Sequence, residues 1–291
     1  MKTIEDALEI RRRVLLAFES AERETDPEAQ RAWLTFVIVG GGPTGVELAR
    51  ALAEIATQTM VRDFRRMNPS SARVILVEAR DRVLPVYPAK LSMKAEEQLR
   101  RLGVEVMTGG VVKNIDEHSV AVGDQQIATR TVLWAAGVEA SGIAKTLNAP
   151  LDRAGRVMVN ADLSIPGHPQ AFVAGDLAAL EKPVPGVAPA AIQEGIHAAR
   201  NIRRMIGGQQ PRPFRYLDKG SLATIGRAAA VADIRGIRLS GFVAWFAWLA
   251  IHIFFLIGFR NRLLVILQWA WAYVTYQRGA RLITGRDWHR P

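Results

Sequence analysis

The chain has 291 residues, 49% of them hydrophobic, and a formal net charge of +10. That length leaves room for two domains. The absence of cysteine excludes structural disulfides, thiolate metal sites and any Cys-based redox relay.

Thr3-x-x-Asp6 predicts a capped helix over about residues 4–24, with apolar positions at Ala7, Ile10, Val14 and Phe18. Asp26-Pro27 starts a second short helix that leads to a strand, Phe36-Val37-Ile38-Val39. This run is short, apolar and β-branched, as expected of a strand covered on both faces. It ends in Gly40-x-Gly42-x-x-Gly45, the phosphate-binding turn of a dinucleotide fold. Gly40 allows the tight turn, Gly42 lets the backbone approach a pyrophosphate, and Gly45 lets helix pack on strand. Pro43 suits the first helical turn, where a missing N–H costs nothing. Together with Thr44 it begins a helix whose free N–H groups attract an anion.

Val46 to about Arg66 has helical composition, and Arg73-Val74-Ile75-Leu76-Val77 is a second strand ending in Glu78. A carboxylate there accepts hydrogen bonds from ribose hydroxyls and repels a 2′-phosphate, which favours NAD(H) over NADP(H). The separation from Gly45 is long, so the intervening helix or loop is expected to be extended. Arg80 and Arg82 lie within reach of a phosphate, and a solvated loop carboxylate is the plainer reading of Glu78.

Pro88 to Leu102 is a further helix, closed by Gly103, and Val104-Glu105-Val106 is a strand. Residues 111–128 read as a small antiparallel meander with turns at Glu117-His118 and Gly123-Asp124. Thr131-Val132-Leu133-Trp134 reads as another buried strand, ending in Ala135-Ala136-Gly137. Gln170 to Asp176 reads as a strand that delivers a carboxylate at its end, where open α/β sheets bind ligands. Asp176 is alternatively a helix N-cap. The segment from Val184 turns into a helix running to about Met205. On that helix Gln193 and Glu194, taken alone, are ordinary surface residues.

Charge is segregated. From Arg200 onward there are 15 Lys/Arg and 3 Asp/Glu, whereas the first 199 residues hold 23 and 25. A basic tail meets nucleic acid or anionic lipid, and here hydrophobicity decides for lipid. Residues 241–259 carry no formal charge, and Leu263 to Gln277 is another uncharged run. Trp245, Trp248, Trp269, Trp271 and Trp288 lie after residue 240, as do Tyr273 and Tyr276, and Arg235, Arg238, Arg278 and Arg281 flank the runs. Such rings fit a membrane–water boundary. An in-plane helical pair dipping into one leaflet is expected, with a spanning segment at 241–259 or a buried soluble helix as alternatives. Nothing at the N-terminus resembles a signal peptide, so the cytoplasmic face of the cell membrane is the expected location, with peripheral or monotopic attachment. No nucleic acid and no metal site are expected.

The order of these motifs resembles the type II NADH dehydrogenases, the single-subunit NADH:quinone oxidoreductases. The matching pieces are Gly-Gly-Gly-Pro-Thr-Gly-Val-Glu at 40–47, Leu-Val-Glu-Ala at 76–79, Trp-Ala-Ala-Gly-Val at 134–138 and Ala-Gly-Asp at 174–176. Ala-Pro-Ala-Ala-Ile-Gln at 188–193, Asp-Lys-Gly-Ser-Leu-Ala-Thr-Ile-Gly at 218–226 and Gly-Phe-Arg-Asn-Arg-Leu-Leu-Val at 258–265 complete the set. The resemblance implies an α/β fold: a Rossmann-like NAD domain plus the C-terminal half of an FAD domain, with an α-helical membrane-associated tail. The expected division is a helical lead-in (1–35), an NAD(H)-binding domain (36–138), part of an FAD-binding domain (139–213) and a membrane-docking region (214–291).

The resemblance also implies chemistry. A hydride passes from NADH to FAD and electrons pass on to a quinone, without proton pumping. Gly40, Gly42, Pro43, Thr44, Gly45, Glu78, Ala136 and Gly137 are expected to bind NAD(H). Gly175 and Asp176 are expected to bind the flavin ribityl chain, with Ala188, Pro189 and Ala190 against its ring. Pro189 stands where the family usually has Gln, which removes a polar contact. Gln193 is the candidate for the quinone headgroup, and Glu194 for a proton carrier. Glu47 is the candidate proton relay, or else a carboxylate favoured by the helix dipole. His252 either faces a quinone tunnel or is a satisfied buried histidine. A homodimer is compatible with the family.

One departure stands out. Only 35 residues precede Phe36, with no glycine among them, and a mononucleotide-binding half needs about 30 residues of strand, turn, helix and strand. Residues 1–35 read as helix. The expectation is a truncated chain, a separate polypeptide supplying the rest, or poor flavin binding. Disulfide and sulfide:quinone reductases of the same fold need cysteines and are excluded. Apoptosis-factor-like and ferredoxin-type reductases remain but lack this apolar, Trp-rich tail, and the other alternative is a catalytically incomplete NAD(H)-binding, membrane-attached fragment that needs a separate FAD-binding half.

Overall fold

The computed structural model describes residues 3–137, 139–255, 258–275 and 283. Of the tail residues singled out above, Tyr276, Arg278, Arg281 and Trp288 lie outside the described residues, as does Val138 of the 134–138 motif. The chain divides into two compact units, Met1–Gly137 with Gly220–Pro291, and Val138–Lys219.

The first unit is organised by a parallel sheet of β1 (Thr35–Val39), β2 (Arg73–Glu78), β3 (Val104–Thr108) and β7 (Thr131–Trp134), in the order β3-β2-β1-β7. Side chains alternate across each strand. Phe36, Ile38, Val74 and Leu76 join a core with α1 (Ile4–Arg23), α3 (Pro43–Glu54) and α4 (Ala89–Arg101). Val37, Val39, Ile75 and Val77 face the other way, onto the meander of β4 (Val112–Ile115), β5 (Ser119–Val122) and β6 (Gln125–Ala128). Both faces are therefore covered, as the continuous apolar strands require. Among the four strands, β7 departs from the expected burial: Trp134 is 54% exposed.

Thr3 and Asp6 form the predicted capping box, each side chain 3.1 Å from the other's backbone nitrogen. Inside α1, Val14, Ala17, Phe18 and Ala21 are buried, and the Phe18 ring lies 5.4 Å from Phe36. Asp26 caps the short helix α2 (Pro27–Trp33). The helix expected over Val46–Arg66 is shorter. It passes into a π turn at Ile55–Thr59 and then into a loop. That loop is fastened from a distance, since the Glu22 carboxylate of α1 accepts the backbone N–H groups of Arg65, Arg66 and Met67, each at 3.1 Å. A carboxylate 43 residues upstream of Arg65 supplies what a further helical turn would otherwise satisfy.

A third sheet completes this unit. β12 (Ser221–Gly226), β13 (Ala229–Ile234) and β14 (Ile237–Gly241) run antiparallel. Ala223, Ile225 and Val231 on one face enter the core of α3 and α4. On the other face Ala230 and Ala232 receive α6 (Phe242–Phe255) through the buried Ala244. After Gly258, whose φ is +79°, α7 (Phe259–Thr275) follows, and the Trp248 and Trp269 rings stack at 5.6 Å and 7°. Phe242, Phe246, Phe254, Phe259, Leu267 and Trp271 are exposed. No described helix is long and apolar enough to cross a membrane, and the 241–259 run is not one described helix. His252 is exposed rather than buried, with Nδ1 2.8 Å from the Trp248 carbonyl and its ring 4.2 Å from the Trp248 ring.

The second unit is built on short pieces. β8 (Val157–Met158) pairs in parallel with β11 (Ala178–Ala179), and β9 (Ser164–Ile165) pairs antiparallel with β10 (His168–Phe172). Strand β10 thus stops four residues before Asp176 and lies in a two-stranded ribbon, not the open parallel sheet expected. The glycine at 175, with φ +76°, turns the chain away. Along α5 (Ala188–Ile206), Gln193, His197 and Asn201 recur every four residues and hold an extended strap. Gln193 exchanges two 3.0 Å bonds with the Leu217 backbone. His197 Nε2 lies 2.8 Å from the Arg212 carbonyl, and buried Asn201 accepts the Arg212 N–H at 2.9 Å.

Candidate functional site

The carboxyl ends of β1 and β7 lie side by side where the strand order reverses, the place where open α/β sheets bind ligands. Gly45 meets Gly40 there, and a Cβ on Gly45 would sit 1.8 Å from the Gly40 carbonyl oxygen. Gly40 has φ +112°, and a Cβ on it would lie 2.7 Å from the Ala136 nitrogen. Gly42 differs in kind. It is the N-cap of α3, no side chain caps that helix, and nothing lies within 4 Å of where its Cβ would be. Pro43 and Thr44 are exposed beside it. The elbow therefore offers a helix N-terminus with open space before it, which suits a diphosphate.

Glu78 closes one side. Its Oε2 accepts the Gly41 N–H at 2.6 Å and its Oε1 accepts the Arg80 N–H at 2.9 Å. A carboxylate has lone pairs beyond these two bonds, so it can still accept a ribose hydroxyl. It is no free loop carboxylate. Arg80 is exposed, and Arg82 pairs with Asp81 at 3.3 Å. Glu47, on α3, is exposed and accepts the Thr224 hydroxyl of β12 at 3.1 Å. Nearby Tyr87 is buried, and that burial, with the Glu47 and Asp233 charges, pushes its hydroxyl up to about 12.

The second unit carries a cavity of about 320 Å³, lined among others by Arg156, Gly175, Asp176, Val187, Ala190 and Glu194. Of the expected trio, Ala190 is buried and lines it, whereas Ala188 and Pro189 are exposed and do not. Asp176 caps no helix. It sits in a 3-10 turn, and a Cβ added to Gly186 would lie 3.2 Å from its Oδ1. Glu194 is 3% exposed, and its Oε2 accepts the Gly175 N–H at 2.5 Å. Burial pushes the Glu194 carboxyl above its ordinary value; the Gly175 bond opposes this and the Asp176 charge adds to it. The sequence reading missed Arg156, which pairs with Asp152 at 2.7 Å; no motif marks it. Two carboxylates and one guanidinium suit a polyol and a flat ring better than a diphosphate.

Residues 3–195 match the pyridine nucleotide-disulphide oxidoreductase family, and residues 219–276 match the NDH2 C-terminal domain. The chain belongs to the pyridine nucleotide-disulphide oxidoreductase family. It is 45% identical over 299 aligned residues to the type II NADH:quinone oxidoreductase Ndh of Mycobacterium tuberculosis, covering 99% of this chain and 64% of that protein. It is 42% identical to NdhA of the same organism, covering 98% and 64%. The chain thus spans about 64% of the length of these curated relatives. A solved structure of NDH2 from Plasmodium falciparum in complex with NADH superposes with a TM-score of 0.85 at 18% identity. That likeness covers 97% of this chain and 74% of the other, and it shows the shared fold.

Two predictions follow from this geometry. Glu78→Ala removes a charged acceptor and is expected to weaken NADH binding by about 1–2 kcal/mol, read by calorimetric titration; unchanged affinity contradicts the role. Glu194→Gln keeps the shape and an acceptor for the Gly175 N–H. The folded chain binds the Glu194 proton more tightly than the unfolded chain does. That contribution to stability is complete below the unfolded value and is lost as pH rises through the raised folded one. The variant should match wild type in acid and show the higher Tm at neutral pH, in a Tm-against-pH series.

Proposed function

We propose that this chain carries the dinucleotide side of a membrane-associated NADH:quinone oxidoreductase. The observation that carries the reading is the uncapped N-terminus of α3, open at Gly42 and flanked by Glu78. In this reading the pyrophosphate of NADH lies on α3, and Glu78 accepts from the adenosine ribose. Ala136 and Gly137 line the path beyond. The curated relatives at 45% and 42% identity are described as type II NADH:quinone oxidoreductases, which supports NADH as the donor and a quinone as the acceptor.

FAD, when bound, would accept the hydride and pass electrons to the quinone. The chain's own residues have four tasks. Gly175 and Asp176 hold the ribityl chain, a carboxylate being a good acceptor for its hydroxyls. Ala190 presents a small apolar wall to the ring, with Ala188 and Pro189 forming the adjoining first turn of α5. Glu194 is the candidate proton carrier, its burial raising its affinity for a proton. Glu47 relays protons, its carboxylate oriented by the Thr224 hydroxyl. Gln193 serves a quinone headgroup only if its clasp on Leu217 opens, so Glu47 is the stronger candidate for proton delivery.

The exposed Phe242, Phe246, Phe254 and Trp271 of α6 and α7, with the basic C-terminal third, support docking onto an anionic lipid surface. The second reading is an NAD(H)-binding fragment that needs a separate flavin-binding half. What favours it is the cavity lining, whose only cation is Arg156 and which offers little to a flavin diphosphate. One experiment separates the two. The purified chain is incubated with FAD, desalted, then treated with NADH and a short-chain quinone. A retained yellow flavin that NADH bleaches and quinone restores is expected. A colourless chain that still binds NADH contradicts the enzyme reading and supports the fragment.

A further inference from the structure

The residue at the end of β7 is out of keeping with its strand. Thr131 and Leu133 are buried, yet the large ring of Trp134 is 54% exposed. Its polar tip is nonetheless committed: the indole N–H donates to the Ala136 carbonyl at 2.9 Å. The adjoining Ala135 N–H donates to the Val39 carbonyl at 2.8 Å. Gly40 packs against the same backbone, leaving no room for a Cβ beside the Ala136 nitrogen. The ring is therefore pinned at the carboxyl edge of the sheet, at the phosphate elbow.

The order of strands gives this edge a direction. Glu78 ends β2, the elbow follows β1, and Trp134 ends β7, and these three strands are adjacent in that order. A dinucleotide with its ribose at Glu78 and its pyrophosphate at α3 must carry its other nucleoside onward, toward β7. We propose that Trp134 is a positioning residue that walls the nicotinamide end of the bound dinucleotide. This rests on the dinucleotide reading above. A flat indole face matches a flat pyridine ring in a way an aliphatic side chain does not. The Nε1–H···O=C clamp on Ala136 stops the ring from swinging away.

The test uses the full chain and two ligands that differ only by the nicotinamide ring, NADH and ADP-ribose. Their affinities are measured by calorimetry for wild type, Trp134→Phe and Trp134→Ala. Trp134→Ala is expected to weaken NADH by about two- to tenfold and to leave ADP-ribose unchanged. Trp134→Phe, which keeps a ring and loses the clamp, should fall between. A second readout needs no change in affinity. Excitation of the indoles should give sensitised emission from bound NADH in wild type, and Trp134→Phe should lose most of it. Undiminished NADH affinity in Trp134→Ala overturns the proposal. So does a parallel loss of ADP-ribose, which would mean the elbow itself had been damaged. Wild type that binds neither ligand sinks the underlying dinucleotide reading along with it, and is recognised by that wild-type result alone.

Discussion

A hydrogen where any other residue has a Cβ lets α3 rest on the end of β1. The Gly40 carbonyl oxygen occupies the space that a side chain at Gly45 would need, 1.8 Å from an added Cβ. Because that contact is made through backbone, the helix N-terminus is held at the sheet edge rather than beside it. Three further features depend on it. The first turn of α3 faces outward with no side chain over it. Gly41 is near enough to Glu78 for a 2.6 Å bond. The flank of α3 meets the C-terminal sheet, where Ala223 and Ile225 join its core.

The helix α3 thus serves two surfaces at once. Its N-terminus lies at the carboxyl edge of the parallel sheet, while its side supports β12, whose Thr224 hydroxyl orients Glu47. The sheet β12–β14 is in turn sandwiched, with the α3 and α4 core on one face and Ala244 of α6 on the other. The small residues Ala230 and Ala232 leave space for α6 to lie close, which turns Phe242 and Phe246 outward. The apolar outer face of α6 is therefore a consequence of how its inner face packs. In the second unit α5 works similarly. Gln193, His197 and Asn201 tie down the strap along one side, while Glu194 reaches the Gly175 backbone and stabilises its left-handed turn.

Much of the first unit was legible because its signals are local. The Thr3–Asp6 box, the Asp26 cap, the β-branched strands and the Gly103 stop depend on neighbours a few residues away. The elbow was legible too, since Gly40 and Gly45 each have a separate steric reason to be there and Gly42 leaves the space before α3 open. The errors share the opposite cause. The loop that replaces the end of the helix after Val46 is fastened at Arg65–Met67 by Glu22, far upstream. Local composition carries no trace of that bond. The strand expected at Gln170–Asp176 is β10, which ends at Phe172 and pairs with β9; a strand pattern does not say which partner it has. The apolar run around Trp134 predicts burial, and its exposure is a property of the sheet edge. The spacing of Gln193 with His197 and Asn201 also carries a second message, the strap that all three hold. Arg156 had no sequence signal at all.

The central claim is that a diphosphate sits before α3, over the one glycine of the elbow that faces open space. A crystal of the chain soaked in saturating NADH tests it most directly. The account predicts pyrophosphate density within hydrogen-bonding distance of the first α3 amides beside Gly42, with a ribose at Glu78. Density elsewhere, or an empty elbow at that concentration, would contradict it.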